Sequence, residues 1–386
     1  MAQTVSIIGG GIGGLTAALC LRRQGFAVDV FEQAPALTEV GAGIQLGPNA
    51  MRVLAALSLQ EALSRVASQP EQLALRSAYS GQLISSTALL RDGKPRWGAP
   101  YIHVHRADLI ACLAEAAQQR GVTVHLGEAM QPSAADRDAD ALIFADGMTS
   151  GFAQRVFGRD PARYSGLVAW RALVPAERLR RPAAHAGAAT IWSGRGCHAV
   201  TYTLRGGALM NFIGVVESEQ PRAGSWDQSA RPEEVLPLFR RFQPEVLEII
   251  RQADQLRPWG LYVQSADAPW VDGRMALLGD ACHAMAPFLA QGAAMAIEDA
   301  WALSVCLGQG DDVPAALKAY EHARKARVNR VATTSLQMRR LYHLKGLGER
   351  LGVFSALKSA QTAGASELLP VLDWLYGYDV TAGAGT

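Results

Sequence analysis

Val5-Ser-Ile-Ile-Gly-Gly-Gly-Ile-Gly-Gly-Leu-Thr-Ala-Ala18, followed by Val28-Asp-Val-Phe-Glu32, decides the fold. Val5 to Ile8 is a short β-branched run, Leu15 to Gln24 is helix-forming, and Gly25 ends that helix. Between them Gly9, Gly11 and Gly14 form Gly-x-Gly-x-x-Gly, a pattern that is common when it stands alone. Context makes it specific: the turn follows a strand, opens a helix, and is followed by Glu32 at the end of the next strand, 18 positions after Gly14 (32 minus 14). That is near the spacing of about 20 residues at which an acidic side chain meets a ribose. Glycines let the backbone approach a pyrophosphate, and the helix N-terminus offers free amides with partial positive charge. A strand-helix-strand of this length crosses over right-handed into a parallel sheet. The turn does not decide which dinucleotide is bound.

Working outward, Ala107 to Arg120 reads as a helix leading to a third parallel strand, Thr123 to Leu126. Ala141-Leu-Ile-Phe-Ala145 and Met275-Ala-Leu-Leu-Gly279 are apolar throughout, as strands buried on both faces are. Gln72 to Gly98 is hairpin-like. Val168–Val174, Ala199–Leu204 and Ala208–Val216 alternate, with one charged helix expected over Pro232 to Gln252. Helices are expected over Gly292–Leu307, Val313–Leu344 and Gly348–Ala360. The fold class expected is α/β: a Rossmann-like domain made of 1–72, 99–162 and 268–330, an inserted antiparallel-sheet substrate domain made of 73–98 and 163–267, and a C-terminal helical segment, 331–380.

The 386 residues exceed one typical domain of roughly 100–200 residues. A net charge of +2 with no run of five or more like charges is too small to suggest a nucleic-acid or membrane partner by itself, and neither is expected. Five scattered cysteines without Cys-x-x-Cys argue against a disulfide framework and a zinc site, so reduced thiols, no metal and a cytoplasmic address are expected. Val5 to Ile8 breaks at once into glycines with no basic segment before it, which predicts neither a signal peptide nor a membrane helix. The small-residue tail, Thr381 to Thr386, is expected to be disordered.

Five further segments carry a resemblance: Gly41-Ala-Gly-Ile-Gln-Leu-Gly-Pro-Asn49, His103-Val-His-Arg-Ala-Asp-Leu109, Gly279-Asp-Ala-Cys-His-Ala-Met285, Gln291-Gly-Ala-Ala-Met-Ala-Ile-Glu-Asp-Ala300 and Trp374-Leu-Tyr-Gly-Tyr-Asp379. With the glycine turn they resemble, over nearly the whole chain, the FAD-dependent aromatic monooxygenases that work with one flavin domain. That group contains salicylate hydroxylase, 3-hydroxybenzoate 6-hydroxylase and 6-hydroxynicotinate 3-monooxygenase. The resemblance implies FAD as resident cofactor, NADH or NADPH and O2 as cosubstrates, and transfer of oxygen from a flavin 4a-hydroperoxide to an aromatic ring such as a hydroxybenzoate. A larger polycyclic or antibiotic-like ring, or a non-catalytic flavin-binding protein, are the alternatives; a homodimer is compatible with the family.

The resemblance also assigns residues. Gly9, Gly11 and Gly14 would lie under the pyrophosphate and Glu32 on the adenosine ribose. Gly43 belongs to the first further segment and to the cofactor set. Arg106 would reach the flavin's phosphate or ribitol region, where an always-charged fork suits a diphosphate, unless it merely caps its helix. Asp280 would accept from the ribitol hydroxyls, and as a buried aspartate it would require a partner. Pro287, Gly292, Ala293 and Ala294 would lie along the isoalloxazine, the helix starting at Gly292 aiming its amides at the pyrimidine. His198 and Tyr202, four apart on one face of a strand, resemble positions that contact the phenol. A near-neutral histidine there can take the phenolic proton, although a purely structural histidine fits the same position. Gln45, Asn211 and Trp170 are weaker candidates.

Two departures stand in Asp146-Gly-Met-Thr-Ser-Gly-Phe-Ala153: Ala153 occupies the position of a usual arginine and Thr149 that of a frequent histidine, with Arg155 a neighbouring substitute. The hairpin that relatives place between Glu128 and Ala141 is mostly missing. Phe288 stands where some pyridine-hydroxylating relatives have histidine, which counts against a hydroxynicotinate substrate.

Overall fold

The computed structural model describes residues 3–37, 42–130, 139–180, 187–220, 228–362 and 369–382. The site of the missing hairpin, 131–138, and the tail end, 383–386, lie outside them.

Two large sheets organise the chain. The first has six strands in the order Val271–Asp272, Met275–Leu277, Ala141–Phe144, Thr4–Ile8, Ala27–Glu32, Thr123–Leu126. All its pairings are parallel except the short edge pair at Val271–Asp272. The helix Ile12–Arg23 follows the first strand and packs on the helix Gly292–Leu307, burying Leu15, Leu19 and Ile297 completely. The chain thus returns to this sheet after some 130 residues, from Ala141–Phe144 to Met275–Leu277 (275 minus 144 is 131).

The second sheet has seven strands, ordered Arg257–Val263, Arg163–Pro175, Leu209–Glu217, Cys197–Leu204, Ala188–Ser193, Gln72–Ser77, Leu83–Ala88. It departs from the purely antiparallel expectation in one place: Gln72–Ser77 runs parallel to Ala188–Ser193. Parallel neighbours need a long crossover, and here that crossover is the passage through the first sheet between residues 88 and 163. Alternation along the strands separates two faces. Val168, Trp170, Ala172, Met210 and Phe212 pack with Phe239 and Ile249 of the covering helices. Leu167, Ala169, Val215 and Leu261 meet Phe288, Tyr342 and Leu357 on the other face.

The charged segment expected as one helix is two, Pro232–Phe239 and Pro244–Gln252. The first ends at Phe239; Pro244 has no amide hydrogen to donate and holds the residue before it in extended backbone, so Gln243 is the N-cap of the second helix and Pro244 its first residue.

A buried ionic cluster ties the long helix Val313–Tyr342 to Gly292–Leu307. Arg324 is fully buried, with Nη1 2.9 Å from Glu298 Oε2 and Nε donating to Asp299 Oδ1 at 2.8 Å. Arg327 adds a bond to Glu298 Oε2 at 2.6 Å, and Asn49 Nδ2 donates to Glu298 Oε1 at 2.7 Å and to Gln291 Oε1 at 3.0 Å. The Trp374–Asp379 segment docks on Arg327, which lies 3.7 Å from the centre of the Tyr378 ring, and on Arg52, which donates to the carbonyls of Tyr376 and Tyr378. Among the described residues no helix is long and apolar enough to cross a membrane.

Candidate active site

Two adjoining cavities of about 470 and about 850 Å³ run along the C-terminal edge of the first sheet. That edge is where open parallel sheets bind ligands, and each volume falls within the range of roughly 300–1,000 Å³ usual for small-molecule sites. They share Gly11, Glu32, Arg106, Asp146, Gly147 and Thr149. The smaller continues to Gly9 and Arg155. The larger runs past Asp280, Pro287 and Gly292 to Arg171 and Trp259 on the second sheet. One elongated trough therefore links the end of the second strand to the face of the other sheet.

The glycines divide the work at the turn. A Cβ on Gly14 would stand 1.9 Å from the Gly9 carbonyl oxygen, so this glycine permits helix and strand to touch. A Cβ on Gly11 would meet nothing within 4 Å and would project into the trough. Glu32 Oε2 accepts from the Gly10 amide at 2.8 Å and Oε1 from the Ala34 amide at 2.9 Å, which orients the carboxylate while leaving each oxygen a further lone pair. Arg106 opens its helix while His105 caps it, the His105 ring accepting from the Ala107 amide at 3.2 Å, so the arginine is not the cap.

Asp146 was not singled out by the sequence reading, although the Asp-Gly pair ending a doubly buried strand beside the glycine turn was a usable signal. Its Oδ1 is buried without a hydrogen-bond partner, and burial raises its pKa from 3.8 to about 6. A carboxyl held high in the folded chain withdraws stability as pH rises from about 4 to about 6. Asp146→Asn is accordingly expected to stabilise the ligand-free chain at pH 7 by on the order of 2 kcal/mol. Thermal melts with and without FAD check this: the variant should melt higher alone and gain less from FAD than the parent chain does.

The other candidates are placed as follows. Asp280 is exposed on the rim of the larger cavity, so the cost of a buried aspartate does not arise there. Gly43 lines neither cavity; its amide donates to Asn211 Oδ1 at 2.9 Å, and a Cβ would lie 2.6 Å from the Tyr202 ring, a close approach that requires glycine. Ala294 is fully buried in the helix interior and Ala293 is partly buried beside it, while Gly292 reaches the larger cavity. Trp170 points to the opposite face of the second sheet, among the covering helices. Its neighbour Arg171 takes the cavity face instead, 5.7 Å from the centre of the Trp259 ring, and was missed because the sequence does not say which parity faces in. Ala153 is buried behind the wall that Arg155 lines.

His198 and Tyr202 share one face of Cys197–Leu204, both buried, and line neither cavity. Tyr202 packs on His103, ring centres 4.4 Å apart, and burial raises its pKa. His198 faces Phe288 at 5.4 Å, and its Nδ1 is 2.7 Å from His343 Nε2. Burial first, and then neighbouring His343, hold its pKa well below the ordinary value. Cys282 and His283 form no nucleophile pair: both are buried, burial raises the thiol pKa, and His283 Nε2 is 2.5 Å from Asp299 Oδ2. Cys282, His283 and Asp299 lie close enough to meet one cation, but Arg324 already balances Asp299.

The FAD binding domain family matches residues 138–335, just over half the chain, and the NAD(P)-binding Rossmann-like domain family matches residues 7–50. The chain is 36% identical over 391 residues to 3-hydroxybenzoate 6-hydroxylase of Polaromonas naphthalenivorans (strain CJ2), covering 97% of this chain and 96% of that protein. The chain belongs to the FAD-dependent aromatic monooxygenases. It is also 32% identical over 351 residues to 6-hydroxynicotinate 3-monooxygenase of Pseudomonas fluorescens, covering 86% of this chain and 90% of the relative. Among solved structures, a salicylate hydroxylase substrate complex superposes with a TM-score of 0.81 at 24% identity, covering 99% of this chain and 97% of that one, a likeness of fold. As a member of this family the chain is an FAD-dependent oxidoreductase. Its residues fit the cofactor: the open space above Gly11 suits a backbone-hugging diphosphate, and the orphaned Asp146 Oδ1 suits a hydroxyl donor.

Proposed function

We propose that the protein is an NAD(P)H- and O2-consuming hydroxylase of a hydroxybenzoate-type ring. The observation that carries this is the shared trough: the cavity entered at Gly11 and Glu32 ends at Arg171 and Trp259 of the second sheet, and His198 and Tyr202 stand on the same face of that sheet as Arg171. The curated relatives, named for hydroxylation of hydroxybenzoates and a hydroxynicotinate, support the substrate class. We assign the cofactor to the part formed by 1–72, 99–162 and 268–330, and the ring to the part formed by 73–98 and 163–267.

FAD, when bound, supplies acceptance of a hydride from NAD(P)H and activation of dioxygen. Gly9 and Gly11 would leave room for the pyrophosphate with Gly14 setting the turn, Glu32 would take the adenosine ribose, and Arg106 would balance phosphate charge. Asp280 and Asp146 would accept from hydroxyls. Pro287 and Gly292 would border the ring system, the amides of the Gly292–Leu307 helix favouring negative charge there. Ala293 and Ala294 shape that helix start. Arg171 would orient a ring carboxylate, and its planar fork suits one. His198, neutral at pH 7 because burial depresses its pKa, is available as a base for the ring hydroxyl, with Tyr202 beside it. Phe288, itself buried beside His198, would help keep water from a ring held at that histidine.

The test is a panel of hydroxybenzoates scored for stimulated NADH or NADPH oxidation by the FAD-loaded protein, with product analysis. Stimulation coupled to hydroxylated product is expected from at least one acid. Stimulation only by larger polycyclic rings would move the substrate class, and none by any aromatic acid, with FAD bound, would remove the reading.

A further inference from the structure

A base buried as deeply as His198 must pass its proton on before it can act again, and the sheet face around it offers one path. His198 Nδ1 is 2.7 Å from Nε2 of His343, the residue that ends the long helix Val313–Tyr342. His343 is itself buried, its Nδ1 has no hydrogen-bond partner, and that nitrogen is 4.0 Å from Glu217 Oε1. Glu217 reaches solvent, with about a third of its side chain exposed, and is held there by Lys345 at 2.7 Å and Arg339 at 3.5 Å. We propose that His343 is the relay partner of His198, carrying the proton taken from the ring hydroxyl out to Glu217 and solvent. This rests on the reading of His198 as the base.

The transfer balances at each site. The ring hydroxyl gives its proton to His198 Nε2, the O–H electron pair staying on the phenolate. The His198 Nδ1 proton moves to His343 Nε2, and the His343 Nδ1 proton moves to the Glu217 carboxylate, directly after a small approach or through one bridging water. Both imidazoles start and end neutral, and a proton returned along the same line to the product phenolate restores their tautomers. The groups facing the pair suit this. Tyr342 and Phe288 pack on His198, and Ser193 and Val215 are its strand partners, none of them charged. The charges near His343 are Glu217, Arg339 and Lys345; burial, aided by Arg339 and Lys345 against Glu217, lowers its pKa from 6.5 to about 4. At neutral pH each ring thus carries a single N–H, as a relay of alternate donors and acceptors needs.

His343→Gln keeps an acceptor for His198 Nδ1–H but cannot pass a proton from one side chain atom to another. With the hydroxybenzoate most active in the panel, this variant is expected to keep KM within about twofold and lose about tenfold in kcat at pH 7, at the low end of acid-base contributions. Its kcat should climb steadily with pH, since hydroxide replaces the relay, and its solvent isotope effect should rise. Glu217→Gln should shift the profile the same way by a smaller factor, because water reaches that end. His198→Ala is measured alongside. If it lowers kcat while His343→Gln leaves kcat and its pH profile unchanged, the relay is overturned and the base stands. Parallel losses in His343→Gln without a change of profile would likewise reduce His343 to a support for His198. If His198→Ala changes nothing, or no hydroxybenzoate is turned over, both readings fall. Should His343→Gln not fold, proton release on mixing parent and Glu217→Gln enzymes with substrate, read with a pH indicator, decides: equal release rates overturn the relay.

Discussion

Arg324→Ala is expected to destabilise the FAD-loaded protein by about 3–5 kcal/mol, the cost of stranding buried charge when one partner of an ion pair is removed. Arg324 is fully buried between Glu298 and Asp299, and His283 approaches Asp299 from the other side. Deleting the guanidinium leaves two carboxylates in the interior, Glu298 with Arg327 and the Asn49 amide and Asp299 with His283. Burial opposes a charged imidazolium at His283, but Cys282 and Asp299 together hold its pKa well above the ordinary value. A domain-sized protein has about 5–15 kcal/mol in hand, so the loss would consume a large part of it. Equilibrium denaturation measures it directly; a change below about 1 kcal/mol would show that the cluster is not structural.

Gly11→Val should act on the cofactor and leave the fold alone. Gly11 has φ −76° and ψ −172°, extended backbone that valine adopts without strain, and the space its side chain would enter is open cavity. FAD affinity is therefore expected to fall about a hundredfold or more, ~2.7 kcal/mol, while the melting temperature of the ligand-free chain stays put. Gly14→Ala inverts the pattern: a methyl 1.9 Å from the Gly9 carbonyl oxygen forces strand and helix apart, so the chain itself should fail. Flavin fluorescence titration beside thermal melts separates the two. Gly11→Val binding FAD like the parent would take the pyrophosphate away from this turn.

What was legible in the sequence was local. Val5 to Ile8, the glycines and Glu32 are close in the chain, and their chemistry follows from adjacency and period. Pro244 was legible too, and the single helix drawn across it ignored a residue that removes a helix hydrogen bond and favours extended backbone before it. The parallel pairing of Gln72–Ser77 with Ala188–Ser193 was not, because it joins segments more than a hundred residues apart and no side chain in either announces its partner. Trp170 and Arg171 differ by one position on an alternating strand, and only tertiary packing says which of them faces the cavity. His343 had no local motif; its meaning comes from meeting His198 across 145 residues. The Gly43 assignment came from family likeness, which preserves a position while leaving open whether it touches ligand or packs, and the exposure of Asp280 could not be read from the apolar strand before it.

Turnover of the best hydroxybenzoate of the panel under isotopically labelled dioxygen, with NAD(P)H and the FAD-loaded protein, tests the central claim most directly. The account predicts a product one oxygen heavier that carries one labelled atom, formed in near proportion to the reductant consumed. Reductant consumption ending wholly in hydrogen peroxide, or a product oxygen that comes unlabelled from water, would contradict it.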